Sequence, residues 1–552
     1  MRVVFFLFLF LTFFSEAYSQ DQLADYKRAK TLMGYGNYKE AMDLFRPFMD
    51  ELEFGELSNY AKYHFAFSAY QNDQLELMRS VLMPLVENRN FDKKDEAKYL
   101  LAMGYFKEEK FSAALQEIEG ITEPSIYKEA EKASYHFLQN VSVSFLVSNL
   151  SKFQKNEGFV LALKDELENQ SIMSNDEKAV YQKLKSIVPD GQFPENEVSK
   201  NNQVLDIAVI LPFNFSGGSD VKNLNAGNFV FDLYQGIDFA LKEYENKGVK
   251  INSKTFDTQR NMSNLQKILA DPFLLQADII IGPIYPDETE IVMAFSEKYE
   301  IPFINPLSNI EYTYSNLEFA YLFRPSVSTL GSSLLDYMRK FIEGKKIALA
   351  YSNSTKDDQL ANHLMESSRQ FGYELVKTSQ VTNRNINQFF DDIKLKSDSL
   401  SIADVVIILS DDPNIASLTF GFMESQNVKT PVVVLDSWLY FNFASFEMLE
   451  NQNFVFIGNN TINFGSPELD EFRNSFYEKH LNYPSFNSHL GYEIISWVVE
   501  TISPSKGFEF RKNLNQRGFQ SGKVTYGLDF TNSFNNRYVP ILKLENGVLK
   551  TK

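Results

Sequence analysis

The fold of this chain is decided by the run Val204-Leu205-Asp206-Ile207-Ala208-Val209-Ile210-Leu211, which Pro212 follows. Its apolar residues are consecutive, not alternating, which is typical of a parallel strand buried on both faces. An amphipathic helix is predicted next, from Phe229 to Tyr244. The same alternation of an apolar run and an amphipathic segment recurs along the chain. We predict further buried strands over residues 279–281, 301–304, 346–350, 404–409 and 431–435.

This alternation of strands and helices predicts parallel sheets, because right-handed crossovers return each strand beside a neighbour. One hydrophobic core rarely grows to the size of residues 204–552, so we expect two doubly wound sheets in two lobes. The preceding stretch, residues 189–203, begins with turn residues such as Pro189 and Gly191 and is predicted to be a linker.

Several short motifs of this region stand in a recognisable order: Leu211-Pro212, Gly236-Ile237, Ile281-Gly282-Pro283, Asn305-Pro306-Leu307-Ser308, Phe323-Arg324-Pro325-Ser326, Gly491-Tyr492-Glu493 and the ending Gly522–Phe530. In order and spacing they resemble the type I periplasmic binding proteins, particularly the branched-chain amino-acid receptors. The resemblance implies an α/β bilobed fold in which the chain crosses three times between lobes. We expect these crossings near residues 323–326, 458–464 and 518–528. Lobe 1 would comprise about 204–323 and 464–517, and lobe 2 about 326–457 and 528–552.

Open α/β sheets bind ligands beyond the carboxyl ends of their strands, which directs attention to a few side chains. The candidate ligand-binding residues are Tyr285, Ser308, Asn309, Tyr351, Asp436 and Trp438. Tyr285 and Trp438 would sandwich an apolar ligand, Ser308 and Asn309 would hold polar atoms, and Asp436 would pair with an ammonium. Alternatively, aromatic residues that follow a strand serve only in packing.

The turn Pro286-Asp287-Glu288 argues against an α-amino-acid ligand. In the amino-acid receptors, the resemblance implies, a Ser with free backbone N–H groups captures the ligand carboxylate here. Pro286 removes such a donor, and the two acidic residues offset the helix dipole that would attract an anion.

The first residues predict export. Met1-Arg2 precedes an apolar run that ends at Phe14, and small residues stand at Ala17 and Ser19. This resembles a secretory signal peptide over residues 1–19, and the apolar run is too short to span a membrane. We therefore expect a periplasmic protein with no transmembrane segment after cleavage.

Residues 20–188 predict an all-α domain built from an internal repeat. Four sets of residues recur at corresponding positions: Ala29, Ala66 and Ala102; Ala41, Met78 and Ala114; Phe45, Leu82 and Ile118; Phe48, Leu85 and Ile121. The pattern resembles tetratricopeptide repeats, with Gly36-Asn37-Tyr38 and Glu109-Lys110-Phe111 at the turns between helices. The alternative is a generic helical bundle with coincidental Ala spacing. Met78 departs from the small residue expected there, and Pro47 and Pro84 predict bends in the second helices.

Composition excludes several classes of function. The net charge of −18 makes nucleic acid an improbable partner. The chain has no Cys, which excludes disulfides, thiolate metal sites, Cys nucleophiles and a lipidated Cys. The five His stand at no metal-ligand spacing, and neither a phosphate-binding loop nor a Gly-x-Ser-x-Gly motif occurs. We expect no enzyme, no metal and no cofactor.

Two functions remain. The order of helical repeats and binding-protein fold resembles the outer-membrane lipoprotein activators of peptidoglycan synthases. That resemblance implies a non-catalytic scaffold of the cell envelope whose repeats hold an envelope protein, although the activators' lipidated Cys is missing here. The alternative is a periplasmic receptor for an amino acid or similar small molecule that serves an ABC importer or a sensor.

Overall fold

The computed structural model describes residues 23–139, 141–170, 173–187, 204–213, 229–311, 314, 317–396, 401–441, 445, 449–502 and 509–552. The chain divides into two compact units, Met1–Val204 and Leu205–Lys552. The expected signal peptide, residues 1–19, and the expected linker, residues 189–203, lie outside the described residues. Within the described part of the chain, no helix is both long and apolar enough to cross a membrane.

The first unit is helical. Its described helices are 23–34, Tyr38–Phe45, Glu51–Phe54, Leu57–Gln71, Leu75–Glu87, Lys94–Lys107, Phe111–Glu119, Pro124–Leu138, Val143–Phe153, Glu157–Glu168 and Asn175–Ile187, with a 3-10 helix at Arg46–Met49. Successive helices pack on one another along the chain. This arrangement is consistent with a repeat region.

Every residue of the predicted repeat is buried. The first set lies in the first helix of each pair, and the second and third sets lie in the second helix. Gly36, with φ of 79°, and Glu109, with φ of 56°, form the turns that were predicted between the helices. The Ala and large apolar positions therefore mark pairs of helices that pack against each other.

The large side chain of Met78 is accommodated by a glycine of the next helix. A Cβ on Gly104 would lie 2.3 Å from the Met78 Cε atom. Met78 therefore occupies the space that a side chain at position 104 would need. The prolines differ in effect. Pro47 lies in the 3-10 helix that follows Tyr38–Phe45, whereas Pro84 lies inside the helix Leu75–Glu87.

The second unit begins with a parallel sheet in lobe 1. Its strands are β1 Leu205–Leu211, β2 Ile251–Asp257, β3 Ile279–Ile281, β4 Phe303–Asn305 and β5 Ala320–Leu322, in the order β2-β1-β3-β4-β5. Its described helices are Phe229–Asn246, Met262–Leu269, Pro272–Gln276, Pro286–Tyr299, Pro467–His480, Phe486–Ile502 and Phe510–Arg517. All neighbouring strands of this sheet run parallel.

Lobe 2 is built on a larger sheet of the order β14-β13-β10-β9-β8-β6-β7. Its strands are β6 Lys346–Tyr351, β7 Glu374–Gln380, β8 Val405–Leu409, β9 Val432–Leu435, β10 Phe454–Ile457, β13 Ile541–Glu545 and β14 Val548–Thr551. β13 and β14 are antiparallel additions at one edge. Its described helices are Val327–Phe341, Thr355–Ser368, Ile386–Asp392, Pro413–Gln426 and the 3-10 helix Asp436–Tyr440.

Both faces of the second sheet are buried. Val406 and Ile408 of β8 belong to one hydrophobic core, and Val405 and Ile407 belong to the core on the other face. This explains the continuous apolar runs of the sequence and confirms the predicted α/β fold with parallel sheets.

The third crossing between lobes was expected at 518–528. Residues 519–529 form a two-stranded ribbon, β11 Phe519–Gln520 and β12 Leu528–Asp529, and Val524, Leu528 and Phe530 belong to the lobe 1 core. Tyr526 of the same ribbon packs on a lobe 2 core, so the ribbon contacts both lobes, and the chain completes its passage to lobe 2 at β13. The buried carboxylate of Glu493 accepts backbone N–H bonds from Lys523, Val524 and Thr525 and holds this loop on lobe 1.

Candidate functional site

The carboxyl ends of the strands of both lobes meet around Arg324, which follows β5 at the first crossing. Its guanidinium carbon lies 5.5 Å from the centre of the Phe486 ring of lobe 1. Its charge also interacts with Asp411, Asp436 and Lys356, which follow strands of lobe 2. These contacts place Arg324 in the cleft between the lobes.

On the lobe 1 side, Tyr285 precedes the helix Pro286–Tyr299 and is half-buried. The guanidinium of Arg260 stacks on its ring at 4.0 Å from the ring centre. Arg260 also makes two bonds to the Asp287 carboxylate, at 3.0 and 3.2 Å, and lies 3.1 Å from the buried carboxylate of Glu288. Hydrogen bonds to Arg260 hold the pKa of Asp287 below its ordinary value. Arg260 thus neutralises the acidic turn and covers one face of the Tyr285 ring.

Ser308 and Asn309 are ordered by the chain itself. Asn305 Oδ1 accepts the backbone N–H of Ser308 at 2.9 Å, and Ser308 Oγ accepts that of Ile310 at 3.1 Å. The buried Asn309 amide donates to the carbonyl of Pro325 at 2.6 Å and to Asn459 Oδ1 at 2.9 Å. Asn309 therefore joins the first crossing to the second, and its polar atoms are engaged in the hinge.

Asp436 was expected to pair with a ligand ammonium, but the residue is only 5% exposed and its Oδ2 is already engaged. Oδ2 accepts the backbone N–H of Asn459 at 3.0 Å and the hydroxyl of Thr461 at 2.6 Å. Burial raises the pKa of Asp436, while these bonds and Arg324 oppose the change. The structure assigns the side chain to the hinge, where it fixes the second crossing.

The structure corrects the expected role of Trp438. Its side chain is fully buried in a lobe 2 core, and Nε1 donates to the carbonyl of Ser410 at 2.8 Å. A side chain with no accessible surface cannot stack on a ligand, so it forms no sandwich with Tyr285. Tyr351 ends β6 half-buried, and its ring packs on the other lobe 2 core. The packing interpretation therefore holds for Trp438.

Sequence reasoning missed Lys356, whose partners Asp357 and Asp411 line a cavity of about 220 Å³ at the carboxyl ends of β6 and β8. Its ammonium pairs with Asp411 and lies 3.5 Å from Asp357. Burial raises the pKa of Asp411, but the ammonium outweighs it and keeps that pKa below its ordinary value. Ser352 Oγ donates to Asp357 at 2.6 Å. No sequence signal marks Lys356, because a Lys in the first turn of a helix is ordinary.

An aromatic wall stands beside Arg324, formed by Tyr440, Phe464 and Phe486. Tyr440 of lobe 2 lies 4.9 Å from Phe486 of lobe 1 between ring centres and 6.4 Å from Phe464 of the second crossing. The Tyr440 hydroxyl accepts the backbone N–H of Ile462 at 3.0 Å, which fixes its ring. Phe464 keeps 39% of its surface exposed.

A larger cavity of about 550 Å³ lies elsewhere in lobe 1, against Tyr321, Phe510 and Arg511. It is also lined by Pro302 and Phe319, which precede β4 and β5, so it lies at the amino ends of the strands and away from the cleft. Among the described residues, no cluster of His, Asp or Glu is arranged to hold a metal ion.

Residues 230–545 match the family model described as periplasmic binding protein. This match covers more than half of the chain, and the chain belongs to that family.

Solved structures with similar folds were also found. They include an ABC transporter substrate-binding protein from Desulfitobacterium hafniense in complex with Leu, at 14% identity and a TM-score of 0.45, over 63% of this chain and 100% of that chain. A branched-chain amino-acid transporter substrate-binding protein from Streptococcus pneumoniae, in complex with isoleucine, has 16% identity and a TM-score of 0.43 over 63% and 98%. A leucine-binding protein from Thermotoga maritima has 14% identity and a TM-score of 0.42 over 63% and 97%. A search of curated proteins gave no match.

Proposed function

We propose that this protein is a periplasmic receptor that binds a small solute between the two lobes of its second unit and catalyses no reaction. The observation that carries the proposal is the position of Arg324. It stands at a crossing between lobes, contacts Phe486 of lobe 1 and interacts with Asp411 and Asp436 of lobe 2. A ligand held there would touch both lobes, which is how differential affinity drives closure.

Family membership supports this receptor interpretation better than the scaffold interpretation. The structures quoted above bear the names of transporter substrate-binding proteins and were solved with Leu or isoleucine in two cases. The export signal expected at residues 1–19 is part of this proposal and would direct the protein to the periplasm.

The test is a thermal unfolding screen of the full chain against amino acids, aliphatic and aromatic acids, amines, amides and sugars. A ligand present at about 100 times its dissociation constant stabilises the folded state by about 2.7 kcal/mol, which raises the melting temperature. Calorimetric titration of each hit should then give one site per chain. If no class of compound raises the melting temperature, the receptor proposal fails.

The helical unit supports a second proposal, that its repeats dock an envelope protein. The supporting observation is that its helices pack successively along the chain, since stacked helix pairs offer an extended concave surface. Cross-linking in cells, with the full chain and with a chain lacking residues 23–187, tests it. We expect one cross-linked envelope protein that is lost in the shortened chain, and persistence of that product would contradict the proposal.

A further inference from the structure

Most charged groups of the cleft that the structure describes are paired with one another. On the lobe 1 side, Arg260 holds the carboxylates of Asp287 and Glu288. On the lobe 2 side, Lys356 holds those of Asp411 and Asp357. A ligand ammonium would have to displace a cation of the protein itself from either pair.

Asp436 is poorly placed for an ammonium as well, because the residue is only 5% exposed and its Oδ2 accepts the N–H of Asn459 and the hydroxyl of Thr461 inside the hinge. Burial also raises its pKa, which reflects a site where a full negative charge is costly. None of these carboxylates is both exposed and free of a cation of the protein, which is what the ammonium of an amino acid would require.

Arg324 is the exception among the cations. Within the described part of the chain, no carboxylate lies within 4.0 Å of its guanidinium. Its Nε is buried and has no hydrogen-bond partner among those residues. Burial lowers the pKa of Arg324, with Asp436 and Asp411 opposing the change, yet a guanidinium stays protonated in proteins. A buried N–H donor of a charged group is costly to leave unpaired, so the site favours an acceptor.

The surroundings of Arg324 define the rest of the ligand. Phe486 covers one face of the guanidinium, and Tyr440 packs on Phe486. Phe464 adds an exposed ring at the second crossing. The planar guanidinium of Arg324 can donate two parallel N–H bonds to a carboxylate, and the adjacent aromatic rings can contact an apolar group. The site therefore suits a carboxylate attached to a flat or branched apolar group.

We propose that the cleft binds a small carboxylic acid without an ammonium group, with the carboxylate on Arg324 and the apolar body on Tyr440, Phe464 and Phe486. This inference rests on the proposed receptor function and narrows its ligand to one class. In this arrangement the ligand carboxylate binds at Arg324 and not at the Pro286-Asp287-Glu288 turn, whose own side chains are negatively charged.

The test uses the full chain and matched probes that differ in one group: 4-methylpentanoate, its amide, 3-methylbutylamine and leucine, with benzoate and benzamide as an aromatic pair. We expect the two carboxylates to raise the melting temperature, and the amides, the amine and leucine to leave it unchanged. Because these comparisons use the unmodified protein, they do not depend on the folding of any variant.

Three variants locate the carboxylate. Arg324→Gln should weaken carboxylate binding about 10- to 100-fold, as expected for the loss of a charged hydrogen-bonding group. Arg324→Lys keeps the positive charge but loses the paired N–H donors of the guanidinium, and should bind the carboxylate with intermediate affinity. Arg339→Gln removes a cation that pairs with Asp336 on the surface, and should bind as the unmodified protein does.

The outcomes separate the two proposals. If a sugar, an amine, an amide or leucine binds and Arg324→Gln retains that affinity, the receptor function stands and the carboxylate inference is overturned. If a carboxylate binds equally well to Arg324→Gln, with unfolding curves that confirm a folded variant, the assignment to Arg324 is wrong. If nothing in the whole screen binds, both proposals fail.

Discussion

Gly236 and Gly491 allow two helices of lobe 1 to touch through their backbones. A Cβ on Gly236 would lie 1.9 Å from the carbonyl oxygen of Ser488. A Cβ on Gly491 would lie 2.1 Å from that of Leu233. Both distances are far below van der Waals contact, and backbone atoms cannot move aside as a side-chain end can. The two motifs that were noticed separately in the sequence thus form one helix contact.

Substitution of Gly491 by Ala should therefore destabilise lobe 1. We expect a loss of about 1–3 kcal/mol, the usual cost of overpacking a tight core, in urea unfolding of the full chain. Gly421→Ala is the matched control, because Gly421 also lies in a helix but a Cβ there would meet nothing within 4 Å. That variant should be as stable or gain about 0.5–1 kcal/mol from helix propensity. Equal effects of both substitutions would contradict the packing argument.

The strands that could be predicted from sequence are those whose two faces are both covered. β1, β3, β8 and β9 match the predicted runs to within a residue or so. β2 and β7 were missed because they lie at sheet edges. An edge strand is covered less completely than a central one, so its side chains are partly exposed and include polar residues. These polar residues interrupt the apolar run, and the sequence of the strand then resembles that of a loop. β10, Phe454–Ile457, is as apolar as the others and could have been identified.

The candidate site was predictable only in part. The strand-end rule selected the segments of Asn309 and Asp436 from topology alone, and the structure places both side chains in the hinge. The rule could not tell that Asp436 is engaged by Asn459 and Thr461, because those donors come from a later crossing. Arg324 stood inside a quoted motif, but its lack of an ion-pair partner is a property of the folded chain.

Glu493 should be essential to the position of the ribbon at the third crossing. Oε2 accepts N–H bonds from Val524 at 2.7 Å and Thr525 at 2.9 Å, and Oε1 accepts that of Lys523 at 2.8 Å. Glu493→Gln replaces one acceptor oxygen by an NH₂ donor that faces an N–H group. We expect a loss of about 2 kcal/mol and faster hydrogen exchange at residues 523–525.

The control for this change is Glu500→Gln. Glu500 pairs with Arg517 and Lys523 but keeps 32% of its side chain exposed. Partly exposed ion pairs contribute about 0–1 kcal/mol, so its substitution should have a small effect. A Glu493→Gln variant with unchanged exchange at 523–525 would show that the loop is held by other contacts.

Trp438 should matter for stability and not for ligand affinity. Trp438→Phe removes the donor to the Ser410 carbonyl and leaves unfilled volume in the lobe 2 core. We expect a loss of about 2–3 kcal/mol in urea unfolding. Calorimetric titration of the folded variant should give the affinity of the unmodified protein. A large loss of ligand affinity with little change in stability would indicate that the Trp438 side chain contacts the ligand.

Stability should fall between pH 6.5 and pH 4 because of His489. Burial lowers its pKa from 6.5 to about 4, and Arg473 acts in the same direction, while the bond of Nδ1 to the Ser485 carbonyl at 2.7 Å opposes the change. In the unfolded chain the imidazole takes up its proton below pH 6.5. The folded chain takes it up only near pH 4, so acid favours the unfolded state across that window.

For His489 alone, the difference amounts to about 3 kcal/mol of stability lost between pH 7 and pH 4. His489→Asn removes this titration while its amide can still donate to the Ser485 carbonyl. Urea unfolding at pH 7 and pH 5 should therefore show a smaller loss in the variant than in the unmodified protein. The carboxylates titrate in both proteins alike and cancel from the comparison. Equal losses in the two proteins would mean that His489 titrates normally in the folded chain.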